Sequence, residues 1–154
     1  MRDIIKYINK VSLSLIMANY QEITLKSEAK DLEKAFSLIA IEFSKVIYKG
    51  SLNTELNKSI MFRSKDLKSL LYNYLIKLNE LLLNECFILS DVQDLSINMI
   101  HDDYMLSSVI TGLKIKGNEI NVLVKEVSKD IMIKEDSTGC HISVKVIIEE
   151  KNEV

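Results

Sequence analysis

Apolar residues recur at intervals of three and four most insistently between Ser64 and Asn84 (SKDLKSLLYNYLIKLNELLLN). They fall at Leu67, Leu70, Leu71, Tyr74, Leu75, Leu78, Leu81 and Leu82. That is the helical period held over several turns. Ser64 stands where an N-cap would accept from the first free amides, and Asp66 stands where the helix dipole favours an anion. The stripe is too wide and too apolar to face water. The strand-like segments on either side are what can cover it.

Upstream, Val11, Leu13 and Leu15 alternate with Ser12 and Ser14, which predicts a strand over 11–17. Ala18 to Gln21 read as a turn. Residues 22–27 read as a second strand, with Ile23 and Leu25 on one face and Glu22, Thr24 and Lys26 on the other. Asp31 then caps a second helical pattern: Leu32, Ala35, Phe36, Ile39, Phe43, Val46 and Ile47. Gly50 offers that helix a stop. Ile60 and Phe62 mark a short strand at 59–63.

After Asn84 the period changes to two and stays there. Cys86–Leu89 is a short apolar run, and Leu95, Ile97 and Met99 alternate with polar neighbours. His101-Asp102-Asp103 supplies a turn, and Tyr104–Thr111 a strand ending at Gly112. Ile120, Val122 and Val124 form one face of the next strand, Leu123, Lys125 and Val127 the other, and residues 130–135 continue it. Asp136-Ser137-Thr138-Gly139 is a hairpin signal. Ile142, Val144, Val146 and Ile148 then alternate to the C-terminal end. The sum is an α+β domain: two helices packed on a mostly antiparallel or mixed β-sheet, in a single unit spanning residues 1–154.

Composition narrows the function classes. A chain with 47% hydrophobic and 27% charged residues is of globular type, and its net charge of −2 comes with lysines scattered through every segment. Electrostatic nucleic-acid binders cluster their cations, so no direct nucleic-acid binding is expected. Any role in RNA chemistry would need a partner that holds the RNA. No apolar run approaches membrane-spanning length. Val11–Ala18, behind Arg2, Lys6 and Lys10, has the look of a secretory apolar region. Asp3 and the poor cleavage context favour the strand reading. Cys86 and Cys140 are far apart and form no Cys-x-x-Cys, which disfavours zinc and fits a reduced, cytoplasmic setting with both thiols buried. There is no proline, so boundaries come from changes of period alone.

Few residues carry chemistry. The common phosphate-loop, dinucleotide, metalloprotease and serine-hydrolase motifs are absent. His101 beside Asp102 and Asp103 reads either as a metal cluster or, more simply, as a polar hairpin. Cys140 and His141 are strand neighbours, so their side chains point to opposite faces and cannot pair. Glu22 opens one polar strand face, Glu149 closes another, and Lys125 lies on a third. Brought together, two carboxylates suit a hard divalent cation. Left apart, the three are ordinary residues of a solvated face.

The order of segments adds a resemblance. Asp31-Leu32-Glu33-Lys34-Ala35-Phe36 is similar to the "s/t-L-E-E-A-F" helix start of the archease family. Lys65-Asp66-Leu67 through Leu75 resembles its "e-D-L-x-x-L-L-x-x-W/F-L" helix. Tyr104-Met105-Leu106-Ser107-Ser108 with Gly112 resembles "Y-x-L-x-A-x-x-x-G". Val124-Lys125-Glu126-Val127-Ser128 resembles "V-K-A-V/I-T-Y-H", and Val146-Ile147-Ile148-Glu149 resembles "F/V-V-L-D". The likeness runs in order over about residues 20–150. It implies an archease-like α+β fold. It also implies a small accessory protein, not an enzyme, that activates a GTP-dependent tRNA-splicing RNA ligase by promoting its guanylylation and turnover.

A divalent cation, calcium in known examples, is part of what the resemblance implies. Its ligands would be Glu22, Glu149 and Asp130, with Lys125 contacting the ligase. The family's "H-T-A-D" reads Asn19-Tyr20-Gln21-Glu22 here, "T-Y-H" reads Ser128-Lys129-Asp130, and both key Asp residues are Glu. The extra methylene of Glu moves its oxygens by over an ångström (about one C–C bond), which a rigid calcium site would feel. An archease-like adaptor without metal and with a different client stays open as an alternative, as does an enzyme using the same polar cluster.

Overall fold

The computed structural model describes residues 20–50 and 55–150. The strand expected at 11–17 lies outside them. In chain order the elements are β1 (Tyr20–Ala29), α1 (Leu32–Ile47), β2 (Leu56–Ser64), α2 (Leu67–Glu85), β3 (Phe87–Ile100), β4 (Asp103–Lys114), a 3₁₀ turn (Gly117–Glu119), β5 (Val122–Val127), β6 (Met132–Asp136) and β7 (Gly139–Glu150).

The leucine stripe does what its period requires. Leu70, Leu71, Tyr74, Leu75, Leu78, Leu81 and Leu82 are all buried on α2. The cap is Asp66, whose carboxylate accepts from the Ser69 amide at 2.7 Å. Ser64, expected in that role, is instead the last residue of β2, and its hydroxyl accepts from Asn73 Nδ2. Asp wins because its longer acceptor sits one step from Leu67, where the free amides begin. Asp31 caps α1 as expected, accepting from the Lys34 amide at 2.8 Å. That helix ends on an extended Tyr48, two residues before Gly50.

Where one sheet was anticipated there are two, and every strand pair is antiparallel. One has the order β2–β4–β3. In the other, β7 is central, with β1 along one edge and β5 and β6 in succession along the other. Tyr20 and Gln21, read as a turn, already pair with Glu149 and Ile148. The segments at 86–89 and 95–99 are parts of one long β3, interrupted by two irregularities in its pairing with β4. Each helix packs on strands of both sheets. A single core therefore fills the space between them, with Phe36, Phe43, Tyr74, Leu106 and Ile142 almost wholly excluded from water. Burying each such side chain contributes about 1.5–3 kcal/mol.

Two glycines are fixed by sterics. A Cβ on Gly112 would press into the Ile88 carbonyl where β4 crosses β3, and Gly139 has φ of 129°. Tyr74 keeps its one polar atom satisfied in the core. Its hydroxyl pairs with Ser108 Oγ at 3.0 Å, and Ser108 donates on to the Asp94 carbonyl at 2.9 Å. Burial pushes the Tyr74 phenol up to about 12.

Candidate functional site

β7 builds the site because its two faces have opposite chemistry. Cys140, Ile142, Val144, Val146 and Ile148 are buried, so His141, Ser143, Lys145, Ile147 and Glu149 must point outward. β1 runs antiparallel beside them and sets Tyr20 opposite Glu149 and Glu22 opposite Ile147. On the other edge the pairing slips between Val124 and Glu126. Lys125 is the extra residue of that bulge. Val124 and Val127 both stay buried, so Lys125 and Glu126 both face water. Strict alternation had put Val127 with Lys125; the bulge is why it belongs to the core.

Lys125 and Glu149 form an ion pair, Nζ to Oε2 at 3.0 Å. The hydrogen bond and charge of Glu149, with Tyr20 nearby, hold the Lys125 ammonium pKa above its usual value. Glu22, a diagonal neighbour of Glu149 in the register, makes no ion pair with Lys125. It pairs at 3.8 Å with Lys145, a partner the strand pattern did not single out. Only the register shows that link, because Glu22 and Lys145 become diagonal neighbours once Glu22 stands opposite Ile147.

Asp130 lies elsewhere. It follows Ser128, whose amide bonds the Lys145 carbonyl, and precedes Met132, which pairs with Ser143. It therefore stands beside residues 143–145 of β7. With strands rising about 3.3 Å per residue, that is roughly 13–20 Å along the sheet from Glu149.

The cation implied by the resemblance can be tested against this arrangement. Calcium takes about six to eight oxygens within 2.6 Å. Here Glu22 and Glu149 are each held by a lysine, Asp130 is remote, and no group of three or more His, Cys, Asp or Glu is placed to hold a metal among the described residues. The residues as arranged do not fit the ion. What the face offers is a ladder of exposed, exchangeable charges.

The other chemical signals resolve structurally. Asp103 Oδ2 pairs with Arg63 Nε at 3.2 Å, and His101 takes the left-handed position of the β3–β4 turn with φ of 51°. Cys140 is buried, and burial pushes its thiol up. His141 points away from it, to Glu28 and Thr138. Cys86 is only half-buried, because it forms the left-handed cap that ends α2.

Sequence and structure comparisons bear on the whole arrangement. The model of the archease protein family (MTH1598/TM1083) matches residues 22–148. The chain belongs to the archease family. The solution structure of Methanobacterium thermoautotrophicum protein 1598 is similar, with a TM-score of 0.61 at 22% identity over 86% of this chain and 99% of that one. That likeness supports the archease fold. No curated protein matches in a sequence search. No helix among the described residues is long and apolar enough to cross a membrane.

Proposed function

We propose that this archease is an accessory protein that activates a GTP-dependent tRNA-splicing RNA ligase in the cytoplasm, promoting its guanylylation and turnover without catalysing a step itself. It acts by docking the outer face of β1–β7–β5 against the ligase. The observation that carries this reading is the surface Lys125–Glu149 pair, which joins β5 to β7, two strands the family model matches up to residue 148. Exposed pairs of this kind add little to stability. The face can therefore exchange them for charges of a partner at little expense to the fold, and complementary rim charges speed and orient encounter.

The carboxylates already held by Lys125 and Lys145 favour a version without a bound cation. Purified ligase supplied with the parent protein or Glu149→Ala tests the accessory role. Stimulation should fall for Glu149→Ala while its melting temperature matches the parent, and equal stimulation would remove Glu149 from the contact. Melting in millimolar calcium tests the cation separately. An unchanged Tm fits the metal-free version, and a clear upward shift restores the ion.

A further inference from the structure

Scattered along the sequence, the lysines gave no sign of a nucleic-acid surface. The fold gathers some of them. The linker between β5 and β6 passes the first turns of α2, and Lys129 places its ammonium 5.7 Å from the centre of the Tyr72 ring. Lys68, Ser69 and Asn73 complete a groove of about 280 Å³ around that ring. A second hollow continues from Lys68 to Lys65 and Tyr104. Lys65, Lys68 and Lys129 have no carboxylate partner within salt-bridge distance among the described residues, unlike Lys125 and Lys145.

Among the described residues, no acidic residue lines the groove around Tyr72. Two line the second hollow: Glu135, and Asp66, whose carboxylate accepts from the Ser69 amide and feels the charge of Lys68. Lys129 stands where the family pattern quoted above has an aromatic residue, so the cation over Tyr72 is a departure from that pattern.

We propose that this groove binds a single-stranded phosphodiester chain, as in RNA, directly. Lys68 and Lys129 take consecutive phosphates, and one base stacks on Tyr72. A ring beside ammonium groups that no carboxylate holds is the usual arrangement for sequence-tolerant single-strand binding: the charges follow the backbone, and once Lys129 turns from the ring to a phosphate the ring meets a base of any kind. A free phosphate would not need the ring, and an acidic peptide would gain nothing from the flat face beside the charges.

The test is fluorescence anisotropy of a short labelled single-stranded oligoribonucleotide with the full chain and no ligase, so it stands apart from the accessory reading. The parent should bind at low salt. Lys68→Glu with Lys129→Glu should weaken binding about tenfold or more and lower the slope of log affinity against log salt by about 1.4. Tyr72→Leu should cost about fivefold or more while Tyr72→Phe retains binding. Melting curves confirm that each variant is folded. Lys26→Glu with Lys45→Glu is the charge-matched control on other surfaces. Absence of binding by the parent, equal loss in the control, or a polyglutamate peptide binding while RNA does not, would each overturn the proposal.

Discussion

The two faces of β7 follow different rules. Inward, Val144 and its neighbours at every second residue are at most 2% exposed and touch a core shared by both helices. Outward, Glu149 and Lys145 hold partners that are themselves 43% and 61% exposed. The inner face is specified by volume and exclusion of water, where a missing methylene is felt. The outer face is specified by charge in a medium that screens charge. A change inside should unfold the protein, and a change outside should alter what it binds.

The largest expected effect breaks the inner face. Phe36→Ala removes a fully buried ring and should cost about 3–5 kcal/mol, read as a lower urea midpoint. A loss below about 1 kcal/mol would mean the two faces are less different than their exposure indicates.

Tyr74→Phe sharpens the comparison, since it removes one oxygen from the core and almost no volume. It should cost about 1 kcal/mol, because Ser108 keeps its bond to the Asp94 carbonyl. The same variant has a pH signature. Tyr74 is raised in the folded state, so its contribution is complete below the ordinary tyrosine value near 10 and is lost as pH rises towards about 12. The parent should lose more stability than Tyr74→Phe across that window.

Asp66→Ala, at the edge of the core, should cost about 1 kcal/mol for the lost cap. The Ser69 hydrogen bonds hold the Asp66 carboxyl below its usual value. The stability it provides is therefore present above the unfolded value near 4 and fades as pH falls through the folded one. Acid titration of the parent should be steeper than that of Asp66→Ala below about pH 4.

How much was legible follows the same division. Both helices and the alternation of β7 could be read because burial imposes a period, and Leu70 to Leu82 or Ile142 to Ile148 show it without context; the hairpin at Asp136–Gly139 could be read from its turn residues. The split into two sheets could not be read, because a strand's period says which face is buried but not which strand lies beside it. The meeting of Lys125 with Glu149 was within reach, since both lie on polar faces. The diversion of Glu22 to Lys145 and the isolation of Asp130 depend on register and on one bulge residue, which no local pattern encodes. The gathering of Lys68 and Lys129 around Tyr72 is likewise a product of tertiary folding.

The smallest expected effect on stability is also the most informative for function. Lys125→Ala combined with Glu149→Ala should leave the Tm unchanged, because both side chains are at the surface. The decisive measurement is the guanylylation rate of the RNA-splicing ligase in the presence of that double variant and of the parent, at equal concentration of folded protein. The account predicts that the parent stimulates the ligase and the double variant does not. Full stimulation by the double variant would contradict it.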